Sequence, residues 1–333
     1  MKFLICGIGS IGQRHYRNLA SLGHELAVFR HSDRTTDFIQ RFLSGQSEAG
    51  APVKIYYDFN EALNAFAPDA VFITNPNSSH MDLALSAAEY GANLFIEKPL
   101  TNAMDGVDRL KRLVEEKSLK VMVGYNLRWH PQLAHMRELF QAGKIGRVLS
   151  AHVEMGENME DWHPWEDYRD TYAPYKAGGG GAVLCFSHDI DYLYWFMGYP
   201  VRVFAVGGKI TPLEGDAEDM VKVIFEYGDR SIASLHVDYW QRPHKRTFEL
   251  LGTEGSLKWD YEARLLTYVS HSRDSEPEVH SLDPEFERND MFLREVGDFI
   301  ESISSGKETS IPLNEGIDVL RISLEITNQL VLP

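Results

Sequence analysis

The sequence predicts an α/β chain in two parts. A doubly wound parallel sheet comes first, and an α+β domain on a large, mostly antiparallel open sheet follows. Three observations carry this. Gly7-Ile8-Gly9-Ser10-Ile11-Gly12 follows the apolar run Phe3-Leu4-Ile5-Cys6 and opens a helical pattern. Strand-like and helix-like segments alternate through about the first 125 residues. Between residues 201 and 269 most segments instead alternate like strands between turns.

Residues 2–6 read as strand and 10–22 as a helix stopped by Gly23. Residues 25–29 read as strand, 35–43 as helix, and 53–57 and 70–74 as strands around a short helix at 60–66. Met81, Leu85 and Ala88 give 78–90 helical spacing, with Gly91 as the stop. A strand at 93–96, an amphipathic helix at 104–117 and a strand at 121–124 complete the first part. This βαβα order requires parallel strands with helices on both faces. In the second part, strands are expected at 148–156, 201–206, 220–226, 231–239, 247–251, 256–260 and 265–269. Turns such as Tyr227-Gly228-Asp229 separate them. Helices at 131–142, 186–197, 290–305 and 315–330 are expected to cover one face of that sheet. The boundary is set near 123–126, giving domains 1–123 and 124–333, and 277–288 is expected to be a mobile loop.

A chain of 333 residues suits two cores rather than one. With 33 basic against 49 acidic residues the net charge is −16, which argues against nucleic acid or an anionic membrane as the main partner. It leaves room for an anionic small substrate at a local basic site. No apolar run reaches the roughly 18 residues a bilayer span needs, and the N-terminus lacks signal-peptide features. The two cysteines make no disulfide framework, so a reducing cytoplasm is the expected compartment.

The glycine turn sits between a strand and a helix, the context in which backbone approaches a pyrophosphate, so a dinucleotide-binding Rossmann domain is expected over 1–123. Gly7, Gly9, Ser10, Ile11 and Gly12 form that turn. The residue that reads the adenosine ribose should end the second strand, where an acidic side chain would accept the 2′-hydroxyl and repel a 2′-phosphate. That strand ends instead in Arg30, with His31 and Ser32 beside it. A guanidinium suits a phosphate, so NADP(H) is favoured and NAD(H) remains possible. The competing readings are that Arg30 only stacks on adenine, or that Asp33 reaches the ribose. Thr74-Asn75-Pro76 closes the fourth strand, and Asn75 is expected to face the cofactor ribose or to form a plain turn. His80 stands at a helix start, as a cofactor neighbour or a capping residue.

Glu97-Lys98-Pro99 follows the apolar strand Asn93-Leu94-Phe95-Ile96. A lysine at a strand end beside a cofactor can exchange a proton with a substrate hydroxyl; a surface lysine is the plain alternative. Gly178 to Gly181 are four consecutive glycines, and they lead into Leu184, Cys185 and His188. Helical spacing sets Leu184, His188 and Asp191 on one face. His188 titrates near neutrality and could serve as acid or base, or simply be satisfied by Asp191. The segment 157–172 is rich in carboxylates and aromatics, including Glu157, Trp162, His163, Trp165 and Tyr172. Such a mixture suits the C–H faces and hydroxyls of a sugar, or a subunit interface.

Taken together, these motifs make the chain resemble the glucose–fructose oxidoreductase/inositol dehydrogenase (Gfo/Idh/MocA) family over nearly its whole length. The resemblance rests on the glycine turn, Thr74-Asn75-Pro76 with His80, Glu97-Lys98-Pro99, Tyr125-Asn126-Leu127-Arg128, the glycine run before His188, and Gly252-Thr253-Glu254-Gly255-Ser256. It implies reversible hydride transfer between a nicotinamide cofactor and a sugar, nucleotide sugar, cyclitol or related alcohol. It also implies homodimers or homotetramers built through the C-terminal sheet. Lys98 and His188 match the family's catalytic lysine and histidine. Glu97, Lys98 and Asn126 are then expected at the cofactor, and Lys98, Arg128, Cys185 and His188 at the substrate. Many members carry an aspartate four residues before that histidine; here the position is Leu184, so either His188 with Lys98 suffices or a carboxylate such as Glu157 or Asp189 stands in. Two alternatives keep the cofactor: a redox-neutral enzyme that oxidises a sugar transiently, and a non-catalytic sensor.

Overall fold

Six short apolar strands form the first sheet of the computed structural model, which describes residues 1–31, 37–48, 53–162 and 166–330. They are β1 (Lys2–Cys6), β2 (Glu25–Phe29), β3 (Lys54–Tyr56), β4 (Ala70–Ile73), β5 (Asn93–Glu97) and β6 (Val121–Gly124). All pair in parallel, in the order β3-β2-β1-β4-β5-β6. All of β4 and the last four residues of β1 and β5 are buried, as strands covered on both faces must be. The connecting helices are α1 (Ser10–Ser21), α2 (Asp37–Glu48), α3 (Phe59–Phe66), α4 (His80–Tyr90) and α5 (Val107–Lys117). Asp58 caps α3 by accepting the Glu61 N–H at 2.7 Å. The last of these helices begins at Val107 rather than 104, because Gly106 holds a φ of +82° against Met81 of α4. The strand order reverses between β1 and β4, and open α/β sheets bind ligands at such a reversal.

The second sheet has eight strands: β7 (Val148–Gly156), β8 (Arg202–Gly208), β9 (Met220–Glu226), β10 (Ile232–Asp238), β11 (Lys245–Gly252), β12 (Gly255–Asp260), β13 (Leu265–Ser270) and β14 (Glu278–Ser281). Their order is β14-β13-β12-β11-β7-β10-β9-β8, antiparallel except for β10 beside β7. The fold class is therefore the one the sequence predicts. Helices α6 (Pro131–Gln141), α7 (Ala182–Cys185) and α8 (Ser187–Met197) pack on this sheet. Side chains alternate along each strand, so the opposite face presents Phe204, Val206, Ile224 and Ile232, each between 49% and 70% exposed.

Three expectations need correction. The helix expected at 290–305 on the second sheet is α9 (Arg288–Ser305), and from Phe292 it belongs to the first unit. The units are Met1–Gly124 with Phe292–Ile317, and Tyr125–Met291 with the residues from Asp318 onward, so the second domain is not the continuous 124–333. The reason is packing. The Phe299 ring lies edge-on to Phe72 and Phe95, at 5.7 and 5.6 Å. Further on, the Thr309 hydroxyl donates to Val121 O at 2.6 Å and Ile311 O accepts from Val123 N–H, satisfying the exposed edge of β6. An amphipathic pattern gives a helix its apolar face, not the sheet that face meets. Second, the expected loop 277–288 contains β14, which pairs with β13. Third, the helical run through His188 breaks at Phe186 into α7 and α8, so Leu184 does not continue the face that carries His188 and Asp191. The helix expected at 315–330 is α10 (Leu313–Thr327); its first turn belongs to the first unit, where Gly316 lies against Val123 of β6, and only the part from Asp318 belongs to the second. Among the described residues no helix is long and apolar enough to cross a membrane.

Candidate active site

In the first unit the turn Gly7 to Gly9 carries the chain from β1 into α1. Gly7 has a φ of +91°, and its N–H donates to Phe29 O at 2.9 Å. A Cβ on Gly12 would stand 2.2 Å from Gly7 O and 2.8 Å from Thr74 Oγ1, so only glycine lets α1 sit this close. At Gly9, by contrast, a Cβ would meet nothing within 4 Å. The first bond of α1 runs from Gln13 N–H to Gly9 O, no side chain caps the helix, and no acidic residue occupies its first turn. The amides of Ser10, Ile11 and Gly12 are therefore an open, positively polarised terminus. The Thr74 hydroxyl donates to Cys6 O at 2.8 Å and locks the end of β4 to the turn. Asn75 lies against Gly7, and its buried Oδ1 has no hydrogen-bond partner among the described residues. An open helix terminus and an orphaned acceptor beside it fit a dinucleotide.

His80 is buried, with Nε2 2.8 Å from Asn75 O and Nδ1 3.0 Å from Pro99 O. Burial lowers its pKa, against the two carbonyls and Glu97, which favour the charged ring. It is thus neither a surface cap nor a group aimed at a ligand; it ties Pro76's turn to Pro99's. Lys98 is half-buried at the end of β5. Glu97 is buried, and its Oε1 lies 2.6 Å from Nε2 of His15, a residue of α1 whose role the sequence did not suggest. The signal was present: His15 falls on the buried face of α1 with Gly12 and Leu19. Arg30 is only 6% exposed and its N–H donates to Tyr56 O, while exposed His31 sets its ring edge-on to Phe29. Ser32, His163 and Trp165 lie outside the described residues.

In the second unit His188 is half-buried near the start of α8, its ring edge-on to buried Tyr125 at 5.7 Å. Asn126 is buried one residue further on. Arg128, expected at the substrate, is instead buried in a two-bond pair with Asp191: Nε to Oδ2 at 3.0 Å and Nη2 to Oδ1 at 2.6 Å. That geometry commits its guanidinium to the fold. Asp189 is no stand-in for the missing aspartate either, because its carboxylate accepts from Tyr192 OH at 2.6 Å and from Arg246. Leu184 and the free thiol of Cys185 are buried. Half-buried Glu157 directly follows β7, and its N–H donates to Asp238 O. Trp162 packs edge-on against Phe186 and Tyr239, at 5.3 and 5.1 Å. Half-buried Tyr172 rests on Gly178, where a Cβ would come within 2.7 Å.

The glycine run has a partner that sequence reasoning missed. Glu218 is buried with its carboxylate against Gly181, where a Cβ would stand 2.2 Å from Oε1; it accepts the Val183 N–H at 3.2 Å. Burial pushes its pKa up to about 7. Adjacent acidic residues, Glu218-Asp219, just before an apolar strand were the available clue.

A parallel sheet with an open dinucleotide turn, followed by a second sheet domain, defines a two-domain dinucleotide-binding protein. Residues 1–125 match the oxidoreductase family with an NAD-binding Rossmann fold (GFO/IDH/MocA), and residues 133–258 match the GFO/IDH/MocA C-terminal domain. The chain belongs to the Gfo/Idh/MocA family. It is 25% identical to the myo-inositol 2-dehydrogenase of Thermotoga maritima, over 95% of this chain and 92% of that one. A levoglucosan dehydrogenase solved with NADH and levoglucosan shares the fold with a TM-score of 0.84 at 20% identity, over 99% and 96% of the two chains. The UDP-N-acetylglucosamine 3-dehydrogenase GnnA from Acidithiobacillus ferrooxidans does so with a TM-score of 0.79 at 21% identity, over 99% and 97%.

Glu218 gives a pH signature. Its raised pKa favours the fold below about pH 4.5, and that contribution fades as pH rises through about 7, a loss on the order of 3 kcal/mol. Glu218→Gln keeps the acceptor for Val183 and removes the titration. Its stability relative to wild type, measured by urea unfolding, should improve between pH 5 and pH 8; a difference that stays constant with pH would refute the assignment.

Proposed function

We propose that the chain moves a hydride between NADP(H), with NAD(H) as the weaker alternative, and a carbinol or ketone of a sugar, nucleotide sugar or cyclitol. The observation that supports this most directly lies in the strand order. β1, β4 and β5 are neighbours, so the glycine turn, Asn75 and Lys98 emerge along one edge of one sheet. When bound, the nicotinamide accepts or delivers the hydride. Lys98 hydrogen-bonds the reacting hydroxyl and takes its proton on oxidation, and His188 orients that hydroxyl or passes the proton on. Trp162 and Tyr172 offer apolar ring faces to a sugar and Glu157 accepts its hydroxyls. Arg128 is left out of this set because of Asp191.

Assay against a panel of cyclitols, free sugars and nucleotide sugars with both cofactors tests the class. On a substrate so found, Lys98→Ala should lower kcat by about 10²-fold or more while NADPH still binds. Undiminished turnover would remove Lys98 from the role. Arg30 and His31 in place of an acidic strand end support NADP(H). A kcat/KM advantage for NADP(H) of at least about tenfold, or about 1.4 kcal/mol, is expected; an equal advantage for NAD(H) defeats that part alone.

The exposed apolar face around Phe204 and Ile224 suits a second copy of the chain. Light scattering should give a multiple of the 37.9 kDa chain mass, and Phe204→Asp with Val206→Asp should reduce it. A wild-type monomer would contradict this.

A further inference from the structure

We infer that His15 is a positioning residue for Lys98, acting through Glu97; the inference rests on the proposed role of Lys98. His15 stands on α1, the helix whose N-terminus forms the dinucleotide turn, and Glu97 closes β5 one residue before the lysine. Their contact, Nε2 to Oε1 at 2.6 Å, is the short distance of a charge-assisted bond. The His15 side chain is fully buried and that of Glu97 is 10% exposed. The imidazole is boxed edge-on by Phe95 at 4.9 Å and Phe292 at 6.0 Å, with Phe72 at 5.4 Å. Its Nδ1 is buried without a hydrogen-bond partner among the described residues, so Nε2 carries the proton and donates to the carboxylate.

The other side of Glu97 is equally confined. Gly124 of β6 leaves the carboxylate its space, since a Cβ there would come within 3.1 Å of Oε2. Oε2 in turn lies 3.3 Å from the Lys98 N–H. One buried carboxylate therefore fixes the lysine's backbone relative to α1, through a contact between residues 82 positions apart in the chain. A core needing only filler at this point would take an apolar pair at lower cost, because burying a carboxylate is expensive. The polar pair instead fixes one geometry, and a reacting group displaced by about 1 Å loses about 10²-fold in rate.

The test compares His15→Leu, His15→Gln and Glu97→Gln in the full chain. Its first readout needs no substrate: the acetylation rate of Lys98 in the free protein, followed by mass spectrometry with Lys245 and Lys258 as internal references. His15→Leu and Glu97→Gln should change the Lys98 rate by about threefold or more and leave the references unchanged. His15→Gln, whose Nε2 can donate in place of the imidazole, should restore it. On an active panel substrate, His15→Leu should lower kcat by about tenfold or more with NADPH affinity within about threefold, and should add little further loss in a Lys98→Ala background. An unchanged Lys98 rate in folded His15→Leu and Glu97→Gln overturns the inference, as do losses that add fully to Lys98→Ala. If His15→Leu does not fold, Glu97→Gln decides alone. Full activity of Lys98→Ala would instead overturn the proposed function, with the labelling result standing apart.

Discussion

The approach of α1 to the ends of β1 and β4 depends on a carbon atom that is absent. With any side chain at Gly12, the helix would have to retreat from Gly7 O and from the Thr74 hydroxyl. Several features are set by that contact. It aims the uncapped amides of Ser10, Ile11 and Gly12 outward, it brings Asn75 against Gly7, and it lowers His15 into the aromatic box where Glu97 waits. A helix terminus attracts anions only weakly when it moves freely in water; held by close packing in a fixed direction, it is preorganised. The position at Gly9, open where Gly12 is crowded, completes the arrangement by letting a ligand reach the backbone.

The second unit reaches the same end by ionic rather than steric means. Helix α8 buries two carboxylates on either side of the residue after next to His188: Asp189 is held by Arg246 of β11, and Asp191 by Arg128. Each pair is costly to bury, and each contributes only because its geometry is well satisfied. Fixed to the sheet at one point and to the segment after β6 at another, the first turn of α8 has little freedom to rotate. The His188 ring direction follows from that restraint and from its edge contact with Tyr125. The arginines so used are unavailable for substrate, which is why a residue inside a recognisable motif proved structural.

Strand and helix periodicity made most of the fold legible. Apolar runs ended by turn glycines marked β1 to β6, and alternation marked the antiparallel sheet. What stayed hidden was long-range. Nothing local distinguishes Phe299, which packs on Phe72 and Phe95, from an apolar residue facing the other sheet. The glycine turn and Lys98 were legible because backbone conformation and strand position follow from neighbours in sequence. Glu218 behind Gly181 was not, because a carboxylate 37 residues away declares itself only through the space it fills. The partner of Arg128 was hidden for a related reason: a charge in a motif gives its chemistry but not the carboxylate it meets.

The replacement of an aspartate by Leu184 has a consequence for how acid–base work is divided. Asp189 cannot take over, since both its oxygens are engaged. Glu218 is near the glycine run, but burial pushes its pKa up to about 7, and it already accepts from Val183. A fixed negative charge next to His188 would favour the imidazolium; Leu184, buried and apolar, supplies none. On the proposed role of Lys98, the proton exchanged with a substrate hydroxyl would then fall on the lysine at the end of β5, whose backbone N–H meets the Glu97 carboxylate beside His15.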